Sequence, residues 1–145
     1  MGHGAWSAAD WKRYASAKIS GKKVNDIYSA TQIDKKYDPR LIRVRESCDS
    51  ADHPVTTPII IGLDVTGSMS DLLDVTAKRL GEMVKDIIER QPVEGPQIMF
   101  CAVGDSRCDR SPLQVTQFES DIRIASQLTE LFSQPVGTIS LPFNT

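Results

Sequence analysis

Three oxygen-bearing side chains follow a short apolar run near the middle of the chain. Asp64, Thr66 and Ser68 occupy alternate positions, directly after the run 59–63 and before a long amphipathic stretch. One carboxylate with two hydroxyls suits a hard divalent cation, because Mg²⁺ takes oxygen ligands and prefers one or two carboxylates beside its waters. Gly67 lets the backbone turn sharply between the two hydroxyl residues. The spacing predicts a site for Mg²⁺ or Mn²⁺ on a strand-to-helix turn.

The same residues have a purely structural explanation. Asp and Ser are preferred residues at the N-cap of a helix, where a side-chain oxygen accepts from a backbone N–H of the first turn. Asp64 and Ser68 both precede a predicted helix. Capping therefore stands as the alternative to metal binding.

The segment 64–70 reads D-V-T-G-S-M-S and resembles the metal-ion-dependent adhesion site of von Willebrand factor A-like domains. That site is written D-x-S-x-S at the end of the first strand, and Thr66 keeps the hydroxyl in place of the family's Ser. The resemblance implies an α/β fold, a doubly wound three-layer sheet with one antiparallel edge strand. It also implies a divalent-cation-dependent protein-binding domain that is not an enzyme, in which a partner protein offers a carboxylate to the metal.

The resemblance covers residues 58–138 and implies two further ligands. Thr138 lies where the family places a Thr and is the fourth candidate ligand; the alternative is an ordinary Thr in a loose tail. The family's second carboxylate ends a fourth strand, for which residues 139–145 are too short. We therefore expect a C-terminally truncated domain that binds its cation weakly, because ligand charge helps to set affinity. An unpaired strand edge is also expected to favour self-association.

The segments around the motif should position it. The apolar run 59–63 is typical of a parallel strand covered on both faces. Strands are also predicted at 97–103 and, at an edge of the sheet, 113–118; helices are predicted at 71–91 and 121–132. The first of these helices has apolar residues spaced by three and four, which predicts one buried stripe: Leu73, Ala77, Leu80, Val84, Ile87 and Ile88.

Residues 1–57 are predicted to be an N-terminal extension, followed by the partial domain at 58–138 and a tail at 139–145. Ser7 is suited to cap a helix that runs to about Ser16. Residues 41–45 predict a short strand, charged on one side like a protected edge. This segment offers a strand that can dock beside the motif strand.

A second arrangement has the spacing of a catalytic loop. Residues 101–107 fit C-x-x-G-x-x-R and resemble the phosphate loop of cysteine-dependent protein phosphatases, with Cys101 after a strand as nucleophile and Arg107 holding phosphate oxygens. Against this, Asp105 places a carboxylate in the anion cradle, and a strand is predicted next instead of a helix. A phosphatase is the alternative function, beside a remnant fragment without independent activity; a buried core thiol is the structural explanation for Cys101.

Composition narrows the class of protein. The 145 residues carry 17 Lys and Arg against 19 Asp and Glu, which gives no basic footprint for nucleic acid. The mildly basic stretch at 12–23 is interpreted as a solvated face. No apolar run reaches the roughly 20 residues of a membrane span. Three cysteines without a C-x-x-C pair fit reduced thiols, and we expect a cytoplasmic protein.

Overall fold

The computed structural model of the chain describes residues 4–104 and 112–133. These residues form a mixed α/β structure with a three-stranded sheet and four α-helices. The strands are β1 (Thr57–Asp64), β2 (Pro96–Val103) and β3 (Leu113–Val115), in that order across the sheet. The helices are α1 (Ala8–Lys18), α2 (Val24–Ile27), α3 (Ser70–Arg90) and α4 (Arg123–Thr129), with short 3₁₀ turns at Lys35–Tyr37 and Gly67–Met69.

The sheet combines one parallel and one antiparallel pair, as predicted. β1 and β2 run parallel over their whole length, from Thr57 beside Pro96 to Asp64 beside Val103. β3 pairs antiparallel with β2 but ends three residues before the predicted Phe118. The reason lies at Thr116, whose hydroxyl instead of a backbone carbonyl accepts from Phe100 N at 2.9 Å.

The hydrophobic core lies on one face of the sheet. Side chains of β1, β2, α3 and α4 meet there, and they include Ile59, Ile61, Leu63, Ile98, Phe100, Ala102, Leu73, Leu80, Val84, Ile124 and Leu128. On the opposite face Ile60 is 61% exposed and Val103 48% exposed. The prediction that the motif strand is covered on both faces is therefore wrong. Both α3 and α4 pack on the same side, so within residues 4–104 and 112–133 the outer face of β1 has no covering layer.

The long helix α3 follows the predicted stripe closely. Leu73, Ala77, Leu80 and Val84 are buried. Ile87 packs partly against the core, whereas Ile88 is 39% exposed, because adjacent residues point in directions about 100° apart on a helix. α3 ends at Arg90. The next residue, Gln91, has a left-handed backbone with φ of 44°, and its N–H closes the last turn by donating to Ile87 O.

The second predicted helix is shorter than expected. α4 begins at Arg123 instead of residue 121 and ends at Thr129 instead of 132. At its start the Asp121 carboxylate accepts from Arg123 N at 2.9 Å, a local turn that takes the place of a helical one. At its end, Gln114 of β3 bonds both the N–H and the carbonyl of Phe132, at 2.9 Å each, and draws that backbone towards the sheet.

The N-terminal extension contributes to the same core. Ser7 caps α1 by accepting from Asp10 N at 3.4 Å, which confirms the predicted helix start. Ile19, Ile27, Tyr28 and Tyr37 are buried in the cluster that holds the residues of α3. The burial of these aromatic side chains contributes substantially to the free energy of folding of so small a chain.

Three tyrosine hydroxyls join the extension to residues after position 58. Tyr28 donates to Leu73 O at 3.0 Å, Tyr14 lies 2.6 Å from the Thr129 hydroxyl, and Tyr37 donates to the Glu130 carboxylate. Burial raises the pKa of both Tyr14 and Tyr28. The Tyr28 hydroxyl therefore stays protonated well above neutral pH and keeps donating to Leu73 O.

Residues 41–45 form no strand, contrary to the prediction. Arg45 donates to Lys36 O and, at 3.5 Å, to Val115 O of β3. The segment thus lies beside β3, at the opposite edge of the sheet from β1, and leaves Leu41 and Val44 exposed. Among the described residues no strand pairs with the outer edge of β1.

Candidate metal centre

The motif lies at the carboxyl end of the parallel strand pair. β1 ends at Asp64, and Val65 N still donates to Val103 O at 3.0 Å, which holds the chain against β2 as it leaves the sheet. The 3₁₀ turn Gly67–Met69 then leads into α3. A strand, a tight turn and a long helix therefore fix the backbone on both sides of the motif.

Three side-chain oxygens come together in this turn. Asp64 Oδ1 accepts from Thr66 N at 2.9 Å and from Thr66 Oγ1 at 2.6 Å. Thr66 Oγ1 lies 3.3 Å from Ser68 Oγ. Asp64 and Ser68 are exposed to solvent and Thr66 is half-buried, so the cluster is open to a ligand from outside.

The cluster has the donor set and spacing of a partial Mg²⁺ site. Neighbouring ligands of an octahedral ion bound at 2.0–2.1 Å lie about 3 Å apart, and the observed oxygen separations of 2.6 and 3.3 Å bracket that value. All three donors are oxygens, which suits a hard cation. Only one is a carboxylate, and no group of three or more His, Cys, Asp or Glu suited to a metal occurs in the described part of the chain.

The structure does not support the alternative that Asp64 and Ser68 cap the following helix. The N-cap of α3 is Met69, which makes no side-chain capping bond, and Thr66 precedes the 3₁₀ turn without one. Asp64 and Ser68 therefore do not cap α3. Asp64 instead folds its own loop by accepting from the residue two positions later.

The remaining predicted ligand, Thr138, lies outside the described residues, as do Asp105 and Arg107 of the alternative catalytic loop. β2 ends near the motif, since Val103 pairs with Asp64. Gly104 N donates to Pro112 O at 2.7 Å, and these are the described residues on either side of positions 105–111. The structure thus brings together Asp64, Thr66 and Ser68.

Cys101, the nucleophile of the alternative hypothesis, lies inside β2 and not after it. Its neighbours across the sheet are Gly62 of β1 and Val115 of β3. Partial burial raises the pKa of its thiol, whereas a nucleophilic cysteine needs a lowered pKa. The predicted position after the strand is wrong, because β2 continues to Val103.

A second polar feature was not predicted from the sequence. A cleft of about 970 Å³ lies between the C-terminal half of α1, the irregular segment 29–35 and the end of α4, and we call it the polar cleft. Lys18 and Lys22 of the basic stretch line it together with Lys35. The clustering of lysines before residue 24 was the only signal in the sequence, and it gave no indication that α4 supplies the opposite wall.

Comparison of the chain with protein-family models, with curated proteins and with solved structures finds no match. No helix among the described residues has the length and the apolar character needed to cross a membrane. Function must therefore be argued from the geometry of the chain itself.

Proposed function

We propose that the chain is a divalent-cation-dependent protein-binding module of von Willebrand factor A-like architecture. The main support for the proposal is the cluster of three side-chain oxygens at the end of β1. Thr66 Oγ1 lies 2.6 Å from Asp64 Oδ1 and 3.3 Å from Ser68 Oγ. The order strand, helix, strand, strand, helix from β1 to α4 supports the architecture. The parallel pair and the antiparallel edge strand of the sheet support it further.

Each residue of the cluster has a distinct role in this proposal. Asp64 supplies the negative charge, and Thr66 and Ser68 supply neutral oxygens. The bond from Thr66 N to Asp64 orients the carboxylate towards the turn. A bound Mg²⁺ or Mn²⁺ supplies positive charge that attracts an anionic group. With a single carboxylate in the cluster, one of the two positive charges stays uncompensated, so a carboxylate from a partner protein is the favoured further ligand.

The outer edge of β1 is the second part of the proposed interface. Alternate residues of a parallel strand bond to opposite neighbours, and Thr57 and Val65 both donate towards the β2 side. The N–H groups of Ile60 and Gly62 therefore point to the outer edge. A partner segment, or a second copy of the chain, gains backbone hydrogen bonds by adding a strand there.

Cation affinity tests the proposed cluster. Asp64→Ala is expected to weaken Mn²⁺ binding by about ten-fold or more, because it removes the one carboxylate among the three described residues of the cluster. The free Mn²⁺ signal in electron paramagnetic resonance measures the affinity. Thr66→Val should also weaken binding, whereas Thr66→Ser, which keeps the hydroxyl, should not.

Asp71→Ala is the matched control, because Asp71 is an exposed carboxylate in the first turn of α3 and outside the cluster. It should leave the affinity unchanged. Equal losses for Asp64→Ala and Asp71→Ala would show diffuse attraction of the cation to acidic surface and would contradict the proposal.

Hydrogen exchange tests the free edge. At low protein concentration the Ile60 and Gly62 amides should exchange much faster than the Ile61 and Leu63 amides, which point to β2. Raising the concentration should slow Ile60 and Gly62 selectively as copies associate through β1. Strong protection of Ile60 that does not depend on concentration, in a sharply melting monomer, would refute an open edge.

A further inference from the structure

The polar cleft has a wall that is rich in unpaired positive charge. Lys18, Lys22 and Lys35 line it, and none of the three makes an ion pair with another described residue. Glu130 on the opposite wall is bound by Lys36 at 2.6 Å and also accepts from Tyr37. Its negative charge is therefore already engaged.

Two other carboxylates line the cleft. Asp34 accepts from Lys36 N at 3.0 Å, and its second oxygen lies 3.7 Å from the Lys36 ammonium. Asp26 is exposed and has no described partner. Together with Lys36, the three lining lysines carry four positive charges against the three carboxylates, so the cleft has a net charge of +1 and favours an anion over a cation.

The irregular segment 29–34 lies in this wall of the cleft. The N–H groups of residues 29–33 make no hydrogen bond to any described residue, although the same residues line the cleft. Successive free N–H groups in an irregular segment are a recurrent way to bind anionic oxygens. Hydroxyls on the facing wall, from Ser126 and Thr129 of α4, add further polar groups.

We propose that the polar cleft binds a small phosphorylated molecule through its phosphate oxygens. Tetrahedral phosphate offers several acceptors at once, which suits a cleft lined by three lysines that form no ion pair with a described residue. The volume of about 970 Å³ falls at the upper end of the range of small-molecule sites and accommodates a ligand the size of a nucleoside diphosphate. Ile33, which is partly buried, also lines the cleft and offers an apolar contact to the rest of such a ligand.

Isothermal titration calorimetry with pyrophosphate, ADP and adenosine tests this site. The buffer contains EDTA and no divalent cation, so that the Asp64 cluster takes no part. Pyrophosphate and ADP should bind and adenosine should not, and added salt should weaken both phosphates. Failure of both phosphates to bind, or binding of adenosine as tight as that of ADP, would overturn the proposal.

Variants assign the binding to the cleft. Lys22→Gln and Lys35→Gln should each weaken pyrophosphate binding by about five-fold, and Asp26→Asn should tighten it. Lys23→Gln is the control, because Lys23 is adjacent in sequence but does not line the cleft. Asp64→Ala should leave the affinity unchanged, which separates this site from the proposed cation cluster. Equal effects of Lys22→Gln and Lys23→Gln would show general charge attraction and refute the site.

Discussion

Ile98→Ala is expected to lower the free energy of unfolding by about 2–5 kcal/mol, the usual range for truncating a buried isoleucine. Ile98 is 3% exposed and lies in β2 beside Ile59 of β1, in the core beneath α3 and α4. Its removal leaves a cavity where the two helices meet the sheet. Urea unfolding followed by circular dichroism measures the loss as a shift of the midpoint at unchanged slope.

Ile60→Ala is the matched control, since it makes the same change in the neighbouring strand but on the open face. Ile60 is 61% exposed, and the loss should stay below about 1 kcal/mol. If the two variants lose equal stability, the face of β1 opposite the core is covered, contrary to the exposure of Ile60 in the structure.

Gly95→Ala is expected to lower the free energy of unfolding by about 3 kcal/mol or more, because it combines a steric clash with a strained backbone. Gly95 has φ of 55°, and an added Cβ would lie 1.8 Å from Val55 O, a backbone atom that cannot move alone. Gly95 O also accepts from Thr57 N at 2.9 Å, the first bond between the start of β1 and the residue before β2. The clash therefore disturbs the register of the strand pair that carries the motif. Thermal and urea unfolding measure the effect.

Gly21→Ala separates the clash from backbone strain. Gly21 also has a positive φ, of 72°, but nothing lies within 4 Å of the added Cβ. Its cost should be only the roughly 1–2 kcal/mol of a left-handed alanine. If the two variants lose the same free energy of unfolding, the close approach of Gly95 to Val55 does not affect stability.

The sequence predicted helices and strands well in segments where the apolar residues follow a single regular spacing. The stripe of α3 from Leu73 to Val84 follows from spacings of three and four, and the parallel pairing of β1 with β2 follows from two apolar runs joined by a helix. The covering of β1 on both faces could not be judged from its run of isoleucines. An exposed Ile60 and a buried Ile98 have the same local sequence character, and only the packing of α3 and α4 on one side distinguishes them.

Contacts between segments that are distant in the chain could not be predicted from the sequence either. Residues 41–45 have the composition of an edge strand, but the bonds from Arg45 hold them beside β3. β3 ends before Thr116 because the Thr116 hydroxyl, and not a backbone carbonyl, accepts the hydrogen bond from Phe100 N. At the candidate site, the convergence of Asp64, Thr66 and Ser68 was predicted from their spacing, whereas the position of Met69 at the N-cap of α3 was not.

The most direct test of the proposed cation site is residue-resolved paramagnetic broadening by Mn²⁺ in ¹H–¹⁵N spectra. We expect the amides of Thr66, Gly67 and Ser68 to broaden first, at Mn²⁺ levels that leave the polar cleft unaffected. In Asp64→Ala this selective broadening should disappear. Broadening that is equal in the wild type and in Asp64→Ala, or that begins elsewhere on the surface, would contradict the assignment of the cluster as a cation site.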